Sequence, residues 1–263
     1  MIPRDFITEW RVEAPWIDDR QVEQDLVISR ALVEIFSDEL LRSQLAFRGG
    51  TALYKLFLRP AARYSEDIDL VQIEADPAGD LMDRFHAVLD PWLGKPRYKQ
   101  TEGRVTFTYR FGSEETPPVQ LKLKVEINTR EHFSVYGTRL IPFGVQSRWF
   151  EGGCDIPSYG LNELLGTKLR ALYQRKKGRD LFDLDVALQH KDANSQEIIA
   201  AFRAYMDHGG HAVTRQQLQD NLTAKLEDPD FNADISALLR SDFEWDLEGM
   251  AKRVSAALLD QME

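Results

Sequence analysis

The stretch Phe47-Arg48-Gly49-Gly50-Thr51, followed in the chain by Asp67-Ile68-Asp69, constrains this sequence more than any other part of it. Leu45-Ala46-Phe47 is a short apolar segment of strand character, and Ala52 to Leu58, beyond the glycines, reads as a helix. A strand that breaks through two glycines into a helix start presents backbone N–H groups and the positive end of a helix dipole. That is an anion site. The missing side chains at Gly49 and Gly50 let a large anion such as a triphosphate approach the main chain. Thr51 is placed either to cap the helix or to offer its hydroxyl to a phosphate.

After a loop from Arg59 to Glu66, the segment Asp67-Ile68-Asp69-Leu70-Val71 reads as a strand. Residues i and i+2 of a strand share a face. Asp67 and Asp69 therefore point one way, while Ile68 and Leu70 point into a core. Two carboxylates side by side supply hard oxygen ligands for a divalent metal. Gly-Gly-Thr alone fits a glycine cap, and Asp-x-Asp alone fits a solvated strand end. In the order strand, Gly-Gly-Thr, helix, loop, Asp-x-Asp strand, they form the apparatus of phosphoryl or nucleotidyl transfer.

A third carboxylate is positioned by the clearest periodicity in the chain. Val119, Leu121, Leu123, Val125 and Ile127 alternate with Gln120, Lys122, Lys124 and Glu126, a period-two strand. If this strand neighbours the Asp-x-Asp strand, Glu126 joins Asp67 and Asp69 on one surface, there to bind metal or to take a proton from an attacking hydroxyl. The segment from Gly103 to Phe111 alternates as well. Helical spacing covers 19–43 through Val22, Leu26, Val33, Phe36 and Leu40, with Asp18 or Asp19 as cap, and 78–93 reads as a further helix ending near Pro91 and Gly94. The glycine- and proline-bearing segment 150–160 is the expected boundary, dividing the chain into domains 1–155 and 156–263, the second entirely helical, with later helices at 194–207, 214–226, 231–240 and 244–261.

At 263 residues and 43% hydrophobic, the chain can bury one large core or two smaller ones. Cys154 is its single cysteine, so no disulfide forms within it. The five histidines and the cysteine lack zinc spacing; His208 and His211 flank Gly209-Gly210 in what reads as a loop. No apolar run approaches the roughly 18 residues that span a membrane, and the start Met-Ile-Pro-Arg-Asp-Phe lacks a signal pattern. A soluble, cytoplasmic protein with no membrane partner is expected. The net charge of −10 argues against nonspecific coating of nucleic acid.

That charge hides a local exception. Lys168, Arg170, Arg175, Lys176, Lys177 and Arg179 fall in a stretch without an acid, which suits a triphosphate or an RNA backbone. Lys168 lies in the apolar stripe of a helix marked by Leu161, Leu164, Leu165, Leu169 and Leu172. A buried lysine needs an anionic partner. That partner is expected to be a ligand phosphate; a structural carboxylate, or snorkelling of the amine to solvent, is the alternative. Asp180 and Asp183 share one helical face just beyond, placed to orient these basic groups or to reach the site.

Four segments in order resemble a known family: Phe47 to Leu53, Arg63 to Leu70, Leu164 to Leu172, and Gly178 to Leu184. They resemble the AbiEii/AbiGii toxin family, relatives of the MenT toxins, across about residues 20–190. The resemblance implies an α/β (α+β) fold, with a DNA polymerase β-like nucleotidyltransferase core built on a mixed sheet, plus a helical C-terminal domain. It implies a toxin of a toxin–antitoxin or phage-defence system, with an NTP as substrate, Mg²⁺ as cofactor, a cognate antitoxin as partner and the 3′ end of an RNA, expected to be tRNA, as acceptor.

Carried over position by position, Gly49, Gly50 and Thr51 would hold the triphosphate, with Arg63 and Ser65 of the second segment beside them. Asp67, Asp69 and Glu126 would bind Mg²⁺; Glu126 stands where the core commonly has Asp. Lys168 would contact phosphate with Arg175 and Arg179, and Asp180 or Asp183 would be the acid of the fourth segment. Nucleotidylation of a protein or small molecule, or a non-catalytic module that binds nucleotide or antitoxin, are the alternatives.

Overall fold

Why the Gly-Gly-Thr turn and the three carboxylates lie together follows from one sheet. The computed structural model describes residues 2–262. Its first unit runs to Ser134 and includes Thr138–Tyr159. In chain order it contains α1 (Arg4–Trp10), α2 (Asp19–Ser37), α3 (Glu39–Gln44), β1 (Leu45–Arg48), α4 (Gly49–Leu56), β2 (Asp67–Gln72), α5 (Gly79–Leu93), β3 (Arg97–Thr101), β4 (Arg104–Gly112), β5 (Gln120–Asn128), β6 (Thr138–Gln146) and β7 (Glu151–Tyr159). The strands form a seven-stranded sheet in the order β3-β4-β5-β2-β1-β7-β6. It is mixed: β2 lies parallel to β5 and β1 parallel to β7, while the other neighbours are antiparallel.

The alternation read from the sequence is the alternation of burial. Leu121, Leu123, Val125 and Ile127 of β5 are buried, as are Val105, Phe107, Tyr109 and Phe111 of β4 and Ile68 and Leu70 of β2. Phe85 of α5 stacks on Phe107 at 5.3 Å between ring centroids, which seats that helix on the sheet. Side chains of this size, fully buried, each contribute about 1.5–3 kcal/mol over exposure, so the sheet is held by its apolar face.

Three sequence expectations change here. The helix over 19–43 is two helices, because Asp38 takes an extended conformation and its carboxylate accepts from Leu41 N, capping α3. The segment 150–160 is strand β7 rather than a connection, and the boundary at 155/156 falls inside it; the units divide after Tyr159. Glycine and proline are tolerated there because β7 is laddered along its length only with β6 and meets β1 at a single pair, Phe47 with Ser158. Strands β3 and β6 are two elements that periodicity did not find; every residue of β3 is exposed, so no apolar alternation marks it.

The second unit comprises Val135–Gly137 and the chain from Gly160 onward. It holds α6 (Leu161–Gln174), α7 (Gly178–Ala187), α8 (Ser195–His208), α9 (Arg215–Leu226), α10 (Pro229–Ala233) and α11 (Leu247–Ala257). The helices expected at 231–240 and 244–261 are shorter. Asp228 caps α10 one turn earlier through Asp230 N and Phe231 N, and Asp246 caps α11 through Gly249 N, leaving irregular chain between them. Buried Glu163 accepts from Val135 N and Tyr136 N at 2.7 and 3.0 Å and from the Tyr205 hydroxyl at 2.8 Å, which ties the short segment 135–137 to α6 and α8.

Candidate active site

The Gly-Gly-Thr turn forms as its residue types require. Gly49 has φ +83°, a conformation that costs other residues strain. It also lies so close to Asp69 that an added Cβ would stand 2.5 Å from the carboxylate Oδ2. At Gly50 a Cβ would stand 2.7 Å from Nη2 of Arg63. Helix α4 starts at Gly49 with Arg48 as N-cap, no side-chain cap and no acid in its first turn. Its positive end is therefore left for an external anion.

Thr51 is not the cap. It sits in the first turn, buried, and its hydroxyl donates to the carbonyl of Asp67 and lies 2.8 Å from the Ser65 hydroxyl. That bond fastens the turn to the start of β2, so the glycine turn and the first carboxylate are held by one hydroxyl. Arg63 is buried at 3% exposure, its guanidinium on the Tyr64 carbonyl and 5.3 Å from the Tyr54 ring. Thr51, Arg63 and Ser65 line one side of a cavity of about 330 Å³, with Lys55, Tyr54 and Phe143 also on its wall.

The carboxylates meet across β2 and β5. The parallel register sets Asp69 beside Glu126 and Asp67 beside Lys124. The condition under which Glu126 joins the pair is thus met: the three acids occupy neighbouring positions on one face. Burial raises the Asp69 carboxyl above its usual range, and the charges of Asp67 and Glu126 add to the effect against Arg48 and Lys124. Three hard-oxygen donors with excess negative charge fit a divalent cation in chemical kind. Among the described residues, however, no three such side chains converge as a ready ligand set. The ammonium of Lys124 lies between two of them, 2.9 Å from Glu126 Oε2 and 3.5 Å from Asp67 Oδ2. Arg104 Nη1 takes the other oxygen of Glu126 at 3.1 Å.

In the second unit, Lys168 reaches two carboxylates: Asp180 Oδ1 at 3.1 Å and Asp183 Oδ2 at 2.9 Å. The structural carboxylate weighed as a partner for this lysine is therefore present, as a pair of aspartates. Arg175 places Nε and Nη2 on the two oxygens of Asp180 at 2.7 and 2.8 Å, a bidentate pair. Burial alone would push the Asp180 carboxyl up, but the charge of Lys168 and the Arg175 guanidinium overcome it and hold it below the usual range. The rest of the basic stretch is also matched: Lys176 with Asp228, Lys177 and Arg179 with Asp234, and Arg170 over the Tyr205 ring. It is not the unopposed positive patch that its local composition suggests, because the acids come from distant parts of the chain.

Comparison with known proteins decides the family. A family profile described as the nucleotidyl transferase AbiEii toxin of type IV toxin–antitoxin systems matches residues 30–253. The chain belongs to the AbiEii nucleotidyltransferase toxin family. Solved structures share its fold. The AbiEii chain aligns with MenT4, a nucleotidyltransferase toxin from Mycobacterium tuberculosis H37Rv, at 17% identity and a TM-score of 0.68, over 100% of this chain and 91% of that one. It aligns with JHP933 from Helicobacter pylori at 17% identity and a TM-score of 0.57, over 92% and 91% of the two chains. A search of curated proteins returned no match. As a member of the AbiEii family, the chain is a nucleotidyltransferase toxin with a mixed α/β fold. None of its described helices is long and apolar enough to cross a membrane.

The structure also brings in AbiEii-chain residues that sequence reasoning left aside. Arg48 pairs with Glu131 next to Asp69, and Lys124 and Arg104 pair with the carboxylate face. Lys124 carried a usable signal: it stands two residues before Glu126 and so shares its face. Glu131 and Arg104 carried none, since their places depend on strand order.

Proposed function

We propose that this AbiEii-family toxin transfers a nucleoside monophosphate from an NTP to the 3′ end of an RNA, with tRNA as the acceptor, in the cytoplasm and under the control of a cognate antitoxin. The observation that carries the reading is the contact between the phosphate turn and the acid face: Gly49 lies directly against Asp69, and Asp69 stands beside Glu126. Anion site and carboxylates are parts of one surface.

In this reading Gly49, Gly50 and Thr51 receive the phosphates at the start of α4, and Arg63 and Ser65 brace that turn. Asp67, Asp69 and Glu126 would hold Mg²⁺, which when bound supplies positive charge to the phosphates and to the attacking oxygen. The acceptor hydroxyl attacks the α-phosphorus, forming a new P–O bond; the bond to the β-phosphate breaks and pyrophosphate leaves. A carboxylate of the face, Glu126 or Asp69, takes the hydroxyl proton. Buried Lys168, Asp180 and Asp183, with half-exposed Arg175 on Asp180, join α6 to α7, and in this reading Lys168, Arg175 and Arg179 turn to a phosphate when one is bound.

The test is transfer of label from α-³²P-NTP, but not γ-³²P-NTP, to purified tRNA, abolished by EDTA. Label from the γ-position would assign phosphoryl transfer instead. The ion pairing of the basic stretch favours one second reading, a protein or small-molecule acceptor. Label on those and none on RNA would select it.

A further inference from the structure

The ammonium of Lys124 occupies a place that the proposed reaction needs for something else. Lys124 and Glu126 are two apart on β5, and Asp67 lies opposite Lys124 on β2. The amine bridges one carboxylate from each strand, 2.9 Å from Glu126 Oε2 and 3.5 Å from Asp67 Oδ2. Asp67 and Glu126 are two of the three acids that would hold a divalent cation. A dication and an ammonium a few ångströms apart repel strongly at the edge of a protein. Both cannot share Asp67 and Glu126.

Lys124 is built to move. Its side chain is one-third exposed and ends a flexible four-carbon stem, whereas Arg48, the next cation by Asp69, is tied to Glu131. Arg104 would remain on the other oxygen of Glu126 and keep that side chain in place. A departing ammonium needs a new anionic partner. The nearest that the reaction supplies is the phosphate chain of the nucleotide, received at the start of α4, where Gly49 touches Asp69.

We propose that Lys124 is a tethered cation that fills the metal position of the nucleotide-free protein and moves to the phosphates when a metal–nucleotide complex enters, so that divalent-metal binding depends on nucleotide. This rests on the nucleotidyltransferase reading of the same face. In the resting toxin, Lys124 keeps Asp67 and Glu126 paired without metal. In the loaded toxin, it neutralises phosphate charge. Lys124 is then a positioning residue in one state and a nucleotide contact in the other.

The test is calorimetric titration of the whole protein with Mn²⁺, with and without a non-hydrolysable α,β-imido NTP. Wild type is expected to bind Mn²⁺ weakly alone and at least about tenfold more tightly with the analogue. Lys124→Met is expected to bind Mn²⁺ alone at least about tenfold more tightly than wild type, and to bind the analogue more weakly. A lysine that only pairs the two acids would also give tighter metal binding on removal, but would leave analogue binding unchanged. Lys124→Gln repeats the test in a polar side chain, and the wild-type comparison is read after subtracting a titration of Mn²⁺ into the analogue alone. Equal Mn²⁺ affinity in wild type and variants, or in wild type with and without the analogue, overturns the role of Lys124 and leaves the metal site intact. No Mn²⁺ binding to any form, with or without nucleotide, overturns the carboxylate reading and this inference with it.

Discussion

Asp69 and Glu126 stand side by side across the parallel ladder of β2 and β5, two carboxylates from different strands on one face of the sheet. Their mutual repulsion is part of why Asp69 binds its proton more tightly than an ordinary aspartate, after burial itself. The pairing of Lys124 and Arg104 with this face offsets part of that repulsion.

The first prediction follows from that sign. Because the Asp69 carboxyl is raised on folding, its contribution to stability is full below the usual aspartate range of about 4 and is lost as pH rises through its higher folded value. Metal-free Asp69→Asn should therefore melt above wild type by about 2–4 °C at pH 7, with the difference shrinking toward pH 4. Its nucleotide transfer should fall by about 100-fold or more. Thermal melts across pH, paired with an activity assay, check both. A lower melting temperature for the variant at neutral pH would contradict the repulsion.

Gly49→Ala should be costly twice. The positive φ strains any other residue, and the new methyl must displace the Asp69 carboxylate. A loss of about 1–3 kcal/mol in urea unfolding is expected, with transfer activity lost as well. Gly94→Ala provides the comparison: its φ is +76° but nothing lies within 4 Å of the added Cβ, so it should show the strain alone and keep its activity.

The Lys168 cluster predicts the opposite pH behaviour. Asp180 is held below the usual range, so its stabilising contribution is present above about pH 4 and disappears as pH falls through its lower folded value. Lys168→Met leaves Asp183 and Asp180 buried with less compensation and should cost about 3–5 kcal/mol at pH 7. Denaturant curves of Lys168→Met, Asp183→Asn and the double variant should show strong coupling. Additive effects would remove the ion pair as the cause.

Much of this arrangement is legible in the sequence, and the parts that are not share a physical reason. The turn at Gly49-Gly50, the facing of Asp67 with Asp69, and the burial of β5 through Leu123 and Val125 all depend on spacing within one segment. Glu126 required one further fact, that β5 lies next to β2, which the sequence could state only as a condition. Thr51 escaped because its hydroxyl turns back to the Asp67 carbonyl instead of capping. The basic stretch misled because a run of charge shows no partners: Asp228 and Asp234 lie some fifty residues further along the chain yet match Lys176, Lys177 and Arg179. Strand β7 was hidden by Gly152, Gly153 and Pro157, which read as punctuation but sit in a strand laddered mainly on one side.

Cys154 offers a check on the sheet itself. Burial pushes its thiol up to about 12, with Asp155 adding to the effect against Arg42. At pH 8 the native protein should react with iodoacetamide more than about tenfold more slowly than the urea-unfolded chain, because the thiolate is the nucleophile. Equal rates would place Cys154 outside the packing described for β7.

The most direct measurement is transfer itself. Purified protein is incubated with Mg²⁺, total tRNA and each α-labelled NTP in turn, and the products are run on a denaturing gel beside Asp69→Ala. Label on tRNA with wild type, absent with Asp69→Ala, is the predicted result, and the lane that carries it identifies the base. Label that persists in Asp69→Ala, or tRNA that stays unlabelled with every nucleotide, would contradict the account.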